Sequence, residues 1–379
     1  MKQYEFLNLA SVNAPCMDQI RDAVNRVLLS GRYFGGEENL RFEQHLAAIH
    51  RAPCAVGVSN GLDALRLILE GYKVLGKLSP GDEVIVPANT YIATIMAITQ
   101  AGLTPVPVEP TLRTLNIDSS AIQRAITPRT KAIMTVHLYG RVALDLTMKQ
   151  LVNDNNLLLL EDNAQAIGAT SPIGGLFGSD ATGALGHAGA FSFYPTKNIG
   201  AMGDAGAVVT HDPELADAVR ALANYGSDTR YHNIYNGFNC RLDPLQAAIL
   251  NVKLKYLRQE SDRRRRLAAA YDSAISNPLI SKPFLPDDPG SHVWHQYVAL
   301  APQRDKLRQY LANHGVATDI HYATPPHRQP CYSATLGSLA LPVTDNIAGR
   351  ALSLPMSPAT SVDDATQIAA IINTWQADF

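Results

Sequence analysis

The sequence predicts an α/β protein with a large domain built on a mainly parallel β-sheet and a smaller α+β domain at the carboxyl end. The chain has 379 residues, of which 46% are hydrophobic and 17% are charged, so it is long and apolar enough to bury a large core. Between residues 54 and 210, short apolar runs alternate with helical patterns. Most of these runs lack polar alternation, which is typical of parallel strands that helices cover on both faces. We assign residues 1–255 to the large domain and residues 256–379 to the small one.

The elements of the large domain follow from this alternation. The β-branched or leucine-rich runs predict strands at Cys54–Ser59, Glu83–Pro87, Thr104–Glu109, Ala132–His137, Leu157–Asp162, Ala190–Phe193 and Ala207–Thr210. The helical patterns between them predict covering helices at Gly61–Tyr72, Ile92–Ala101, Ser120–Ala125 and Thr147–Asn153.

The remaining elements predict the second domain. A long helix is expected over Pro244–Asp262 and onward through the four arginines 263–266. Consecutive helix positions point in different directions, so this basic run indicates a solvated, ion-paired helix face and not a nucleic-acid patch. Beyond it, the patterns predict a strand at Val293–Leu300, a helix at Asp305–His314 and a strand at Ala317–Tyr322.

Charge and cysteine content exclude several classes of partner. The formal net charge is −2, which gives no general attraction to nucleic acid or to anionic membranes. The four cysteines are far apart, without zinc-ligand spacing or a disulfide framework, and no metal site is predicted. The N-terminus lacks the apolar stretch of a signal peptide, and no apolar run approaches the roughly 20 residues of a membrane span. We therefore expect a cytoplasmic protein.

Two side chains at predicted strand ends indicate the chemistry. Lys197 lies in a glycine-rich loop after the strand that contains Phe191-Ser192-Phe193, and Asp162 ends the strand that begins with four leucines. A lysine that forms a Schiff base and a buried carboxylate that pairs with a ring nitrogen are the protein groups that pyridoxal 5'-phosphate (PLP) requires. A surface lysine is the ordinary alternative, but the surrounding segment is uncharged and flanked by glycine.

The motifs Glu161-Asp-Asn-Ala-Gln-Ala166 and Phe191-Ser-Phe-Tyr-Pro-Thr-Lys-Asn198 resemble those of the DegT/DnrJ/EryC1/StrS family of nucleotide-sugar aminotransferases. The likeness extends from about Phe6 to the C-terminal helix near Ile371. It implies the fold of the type-I PLP-dependent aminotransferases, with PLP as the cofactor. The closest subgroup acts on dTDP-3-keto-6-deoxyhexoses.

Local geometry and this resemblance together predict further contacts to the cofactor. Gly61 and Leu62 begin a predicted helix, whose free N–H groups bind phosphate. The family often has a hydroxyl residue where Leu62 stands, so Ser192 is expected to supply the side-chain contact. The resemblance also implies that Tyr91 stacks on the PLP ring and that Gln165 reaches the ring hydroxyl.

The resemblance implies the oligomer and the substrate contacts as well. The segment Gly237-Phe-Asn-Cys-Arg-Leu-Asp243 is similar to a family loop in which the asparagine, here Asn239, reaches the phosphate in the neighbouring subunit. We therefore expect a homodimer with active sites shared between subunits. Tyr194, His321 and Tyr322 are expected near the sugar. His137 and His327 are additional candidates.

The expected function is transfer of the amino group of L-glutamate to C3 of a dTDP-3-keto-6-deoxyhexose. The product, a dTDP-3-amino-3,6-dideoxyhexose, would serve surface-polysaccharide or glycoside biosynthesis. Three alternatives stay open: amination at C4, a sugar dehydratase, and a regulator that binds PLP or a sugar nucleotide without catalysis. The dehydratases carry histidine in place of the Schiff-base lysine, so Lys197 argues against that alternative. A regulator would tolerate loss of Asp162, Gln165 or Lys197, and all three are present.

Overall fold

The computed structural model describes residues 2–377. Its centre is a seven-stranded sheet with the order β1-β7-β6-β5-β4-β2-β3. The strands of this sheet are β1 Cys54–Val58, β2 Glu83–Pro87, β3 Thr104–Val108, β4 Thr130–Val136, β5 Leu158–Asp162, β6 Ala188–Ser192 and β7 Gly206–Thr210. All seven predicted strands are present, with ends that differ by two residues or fewer. Strand β7 pairs antiparallel with both β1 and β6, while the other pairings are parallel. The mainly parallel α/β fold is therefore confirmed.

Helices cover both faces of this sheet. The α-helices are α1 Leu9–Asn13, α2 Met17–Ser30, α3 Glu37–His50, α4 Gly61–Val74, α5 Ile92–Gln100, α6 Ser119–Ala125, α7 Leu146–Asp154, α8 Pro213–Ala223, α9 Pro244–Lys253, α10 Leu257–Ala274, α11 Arg304–Asn313, α12 Pro342–Arg350 and α13 Val362–Thr374. Leu160 of β5 packs into the hydrophobic cluster of α4, α5 and α8, whereas its neighbour Leu159 packs into that of α6 and α7. Burial on both faces explains why β5 begins with three consecutive leucines, residues 158–160, instead of alternating apolar and polar residues.

The C-terminal elements pack around a second hydrophobic cluster. Strands β10 Tyr297–Leu300 and β11 Ala351–Leu354 form an antiparallel pair, and a short pair, β8 Ser227–Thr229 with β9 His232–Asn233, forms a hairpin elsewhere. The cluster beside β10 and β11 includes Leu267, Tyr271, Ile368 and Ile372 from α10 and α13. The domain boundary predicted between residues 255 and 256 falls in the 3-10 turn Leu254–Tyr256, and the division itself stays a prediction.

Three details of the C-terminal prediction are wrong. The expected long helix is interrupted at residues 254–256, because α9 packs on α2 and α3 whereas α10 packs on α13. The arginine run is not wholly solvated: Arg264 is buried and donates to the carbonyl oxygens of Trp294, His295 and Met356. Residues 317–322 form no regular strand: the Ala317 N–H donates to the Tyr4 carbonyl oxygen at 3.0 Å, and Asp319 forms an isolated bridge with Ser353.

Candidate active site

A cavity of about 420 Å³ opens at one edge of the seven-stranded sheet. Strands β1, β2, β4, β5 and β6 all end at this edge, since they run parallel. Strand β7 runs in the opposite direction, so its first residues arrive at the same edge. Polar side chains that follow or precede these strands therefore meet in one place, as ligand sites of open α/β sheets do.

Most of the residues that the sequence singled out line this cavity. They are Gly61, Leu62, Tyr91, Asp162, Gln165, Ser192, Tyr194, Lys197, His321 and Tyr322. Asn239 is exposed and does not line the cavity of its own chain. Proximity in one cavity leaves the individual roles of all these residues as predictions.

Asp162 is the last residue of β5, and its carboxylate is buried and held by two donors. Thr94 Oγ1 donates to Oδ2 at 2.8 Å, and the Ala164 N–H donates to Oδ1 at 3.1 Å. Burial raises the pKa of Asp162, while these two hydrogen bonds and the Lys197 charge lower it in part. Burial therefore disfavours the charged carboxylate, and a cation in the cavity would stabilise it.

Lys197 follows β6 in a short turn, in which its N–H donates to the Tyr194 carbonyl oxygen at 2.8 Å. Burial lowers the pKa of Lys197 to about 8, and Asp162 acts in the opposite direction. An ordinary lysine titrates near 10.4, so this amine is neutral in a much larger fraction of molecules near pH 7. A neutral amine is what both Schiff-base formation and proton abstraction require.

The N-terminus of α4 forms a narrow cup beside Ser192. Asn60 caps the helix by accepting from the Asp63 N–H, whereas the N–H groups of Gly61 and Leu62 have no acceptor within residues 2–377. A Cβ added at Gly61 would lie 2.7 Å from the Ser192 Cβ, which is too close for a side chain. Glycine therefore allows the helix end and the hydroxyl to approach a single anion together.

Gln165 connects the cavity wall to Tyr322. Its Oε1 accepts from the Tyr139 N–H at 2.6 Å, and its Nε2 donates to the Tyr322 hydroxyl at 2.9 Å. Because an amide nitrogen carries two hydrogens, one donor of Gln165 remains for a ligand. The Tyr91 ring lies 5.1 Å from the Tyr322 ring, centre to centre, and half of Tyr91 is exposed at the cavity mouth.

His321 and Tyr194 both line the cavity. The ring of His321 is 2.8 Å from Ser353 Oγ through Nδ1, and burial lowers its pKa. Tyr194 is half exposed on the loop after β6. Because Lys197 lines the same cavity, both residues are placed to contact a ligand that binds there.

The two additional histidines lie elsewhere. His137 is fully buried, where its Nδ1 accepts from the Ala143 N–H at 3.0 Å and its Nε2 lies 2.8 Å from Glu161. Glu161 precedes Asp162 in β5 and therefore points to the other face of the sheet. His327 is buried beside Asp345, 3.1 Å away, and does not line the cavity. Neither histidine is placed to contact a ligand there.

Sequence reasoning missed several polar residues of the site, among them Thr94, Asp204, His295 and Gln296. Thr94 contacts Asp162 directly, and the other three line the cavity. A threonine inside the apolar helix pattern of α5 was a usable signal for Thr94. Asp204 lies seven residues after Lys197 in the segment between β6 and β7, whereas His295 and Gln296 are about 100 residues further along the chain and reach this edge only through the tertiary fold.

Comparison with known proteins identifies the family. The family model described as the DegT/DnrJ/EryC1/StrS aminotransferase family matches residues 16–373. The chain belongs to this family. Aminotransferases of the family use PLP, and the chain is a PLP-dependent aminotransferase.

Several relatives are similar over nearly their whole length. The dTDP-3-amino-3,6-dideoxy-alpha-D-galactopyranose transaminase of Aneurinibacillus thermoaerophilus is 44% identical over 98% of this chain and 99% of its own. The dTDP-3-amino-3,4,6-trideoxy-alpha-D-glucose transaminase of Streptomyces venezuelae is 41% identical over 98% of this chain and 95% of its own. A crystal structure of S. venezuelae DesV matches with a TM-score of 0.93 and 41% identity, covering 100% of both chains.

The cavity has the groups that PLP needs. The cup at Gly61 and Ser192 suits the phosphate, Asp162 suits the ring nitrogen, and the free donor of Gln165 suits the ring hydroxyl. Lys197 provides the amine. The fit rests on donors that lack partners within residues 2–377, namely the N–H groups of Gly61 and Leu62 and one hydrogen of Gln165 Nε2, and on the space that glycine leaves at position 61.

Proposed function

We propose that this protein transfers the amino group of L-glutamate to C3 of a dTDP-3-keto-6-deoxyhexose. The product is a dTDP-3-amino-3,6-dideoxyhexose for surface-polysaccharide or glycoside biosynthesis. The observation that carries the chemistry is the meeting of Lys197, Asp162 and the anion cup in one cavity. The names of the two relatives, each a 3-amino-sugar transaminase, support C3 as the reacting carbon.

Each group of the site has a role in this reaction. When bound, PLP supplies an electron sink for the charge left behind when a proton leaves the carbon next to nitrogen. Asp162 stabilises a proton on the ring nitrogen through a charge-assisted hydrogen bond. Lys197 serves first as the covalent anchor and then as the base that carries the proton, a task favoured by its lowered pKa of about 8.

The working unit is a homodimer in which each cavity receives residues from both subunits. The lining contains two carboxylates, Asp162 and Asp204, and only one cationic side chain among the described residues, Lys197. The proposed ligands include a phosphate, a diphosphate and a dicarboxylic amino acid, so further cations must come from outside this lining. Asn239 is exposed and does not line its own cavity, which is compatible with a role in the partner's site.

Subunit mixing tests the shared site. A Lys197→Ala protein mixed with an inactive Asn239→Ala protein regains activity if one cavity of the hybrid dimer keeps both residues. Exchange of subunits is verified separately with two differently sized tags. If exchange occurs and no activity returns, Asn239 does not act across the interface.

Substrate comparison tests the reaction itself. Purified enzyme is incubated with L-glutamate and with dTDP-linked 3-keto and 4-keto 6-deoxyhexoses, and the position of the new nitrogen is located by NMR. We expect a much higher kcat/KM for the 3-keto sugar, because a site that hydrogen-bonds one ring arrangement leaves buried groups unpaired with the other. Preferential amination at C4 would overturn the choice of carbon, and binding of PLP without any turnover would favour a regulator.

We place the reaction in the cytoplasm. All four cysteines, Cys16, Cys54, Cys240 and Cys331, are free thiols, which suits a reducing compartment. Within residues 2–377, none of the helices has the length and apolarity to cross a membrane. Separating cell fractions and detecting the protein by antibody checks this assignment.

A further inference from the structure

His295 lines the active-site cavity, and a neighbour of the reactive lysine fixes its ring. The residue is buried, and its Nδ1 lies 3.1 Å from Oδ1 of Asn198. Asn198 directly follows Lys197 in the chain. The imidazole is therefore tied to the same loop that carries the lysine.

The amide of Asn198 determines which nitrogen of the ring carries hydrogen. Its Nδ2 donates to the Val293 carbonyl oxygen at 3.1 Å, so its Oδ1 is the atom that faces His295. An amide oxygen only accepts hydrogen bonds, so Nδ1 of His295 must carry the hydrogen. A neutral imidazole of this form has a free lone pair on Nε2. That Nε2 has no hydrogen-bond partner in the described part of the chain.

Surrounding groups keep the ring neutral and stationary. Burial lowers the pKa of His295 well below its usual value, and the charges of Lys197, Arg264 and His321 act in the same direction. The buried guanidinium of Arg264 also donates to the carbonyl oxygens of Trp294 and His295, at 3.2 and 3.4 Å. The result is an uncharged hydrogen-bond acceptor held at a fixed position on the cavity wall.

We propose that Nε2 of His295 accepts a hydrogen bond from a sugar hydroxyl on a carbon next to the carbonyl that is aminated. This inference rests on the proposed function, which places a 3-keto-6-deoxyhexose in the cavity. Because Lys197 must reach the reacting carbon, a ring fixed beside its loop faces the substituents of the adjacent carbons. In a 3-keto sugar these are C2 and C4, and each carries a hydroxyl. His295 thus selects substrates that retain the donor hydroxyl.

A matched pair of variants separates this contact from a structural role. His295→Asn keeps a donor near the Nδ1 position for Asn198 but removes the acceptor at Nε2. His295→Gln places an amide oxygen near the Nε2 position. We expect His295→Asn to lower kcat/KM for the ketosugar, and the affinity for the amino-sugar product by calorimetry, by about tenfold each. PLP affinity and the half reaction with glutamate stay unchanged, and His295→Gln recovers part of the loss.

Substrate analogues identify the hydroxyl. Wild-type enzyme is compared on the ketosugar and on its 2-deoxy and 4-deoxy forms. We expect one of the two deoxy sugars to lose about tenfold in kcat/KM. With that analogue, His295→Asn causes no further loss, because the hydrogen bond is already absent.

Several results would overturn the inference. In the first, His295→Asn lowers kcat/KM equally for all three sugars. In the second, the variant slows only the half reaction with glutamate. In the third, the wild-type kcat/KM values do not differ among the sugars. The last comparison needs no variant, so it can refute the inference even if His295→Asn fails to fold. Failure of wild type to aminate any of the sugars would instead refute the proposed function, and the inference with it.

Discussion

The hydrogen bond from Thr94 to Asp162 provides a sensitive test of how this site works. Thr94 is fully buried in α5, and its Oγ1 donates to Asp162 Oδ2 at 2.8 Å while Thr90 Oγ1 lies 2.7 Å away on its other side. The change Thr94→Val keeps the shape of the side chain and removes the donor. Asp162 then keeps only the Ala164 N–H.

The size of the effect follows from the charge on the acceptor. A hydrogen bond to a charged group contributes about 1.5–3 kcal/mol, which corresponds to roughly 10- to 100-fold in rate. We expect the lower end, about tenfold in kcat/KM, since one donor to the carboxylate remains. Loss of the donor raises the pKa of Asp162, so the carboxylate is protonated at higher pH. The defect is therefore larger at pH 6 than at pH 8.

Steady-state kinetics and a double-mutant cycle measure this coupling. Thr94→Ser keeps the hydroxyl and serves as the matched control with near-normal activity. Because Thr94 acts through Asp162, adding Thr94→Val to Asp162→Asn should cause little further loss. If the two losses multiply, or if Thr94→Val is as active as wild type, the proposed dependence of Asp162 on this donor is refuted.

Three further predictions concern the cofactor groups. Asp162→Asn removes the charge at constant shape and should lower kcat by about 10²- to 10³-fold, with little change in the thermal unfolding midpoint; near-normal kcat contradicts its role. The rate at which the apo-enzyme binds PLP covalently, followed by absorbance, should rise with pH and level off above about pH 8, because Lys197 is then neutral. A rate that continues to rise up to pH 10 would contradict the lowered pKa of Lys197. Gly61→Ala forces Ser192 away from the cup and should weaken the binding of PLP more than the binding of pyridoxal, which lacks the phosphate. An equal loss of affinity for PLP and for pyridoxal would exclude a phosphate site at this helix end.

Much of the large domain could be predicted from local patterns. Strands such as β5 begin with consecutive apolar residues because both of their faces are buried, so they stand out from the helical segments around them. The antiparallel direction of β7 has no such signature, since its residues are equally buried. Its direction matters for the site, because it brings Asp204 to the cavity edge.

Long-range packing determined what local patterns did not reveal. Arg264 resembles its neighbours in the arginine run, but the helix rotation places it against the carbonyl groups of the 294–295 segment. Residues 317–322 have a strand composition, yet they pair with β11 only at the isolated bridge between Asp319 and Ser353. His295 reaches Asn198 across 97 residues of sequence, a contact that no local motif encodes.

The covalent attachment site of PLP decides whether this cavity is the active site. Wild-type enzyme loaded with PLP is reduced with borohydride, digested, and examined by peptide mass spectrometry. We expect a single pyridoxyl group, carried by Lys197, and none in the Lys197→Ala variant treated in the same way. Attachment at a different lysine of the wild-type chain would contradict the assignment of this cavity as the active site.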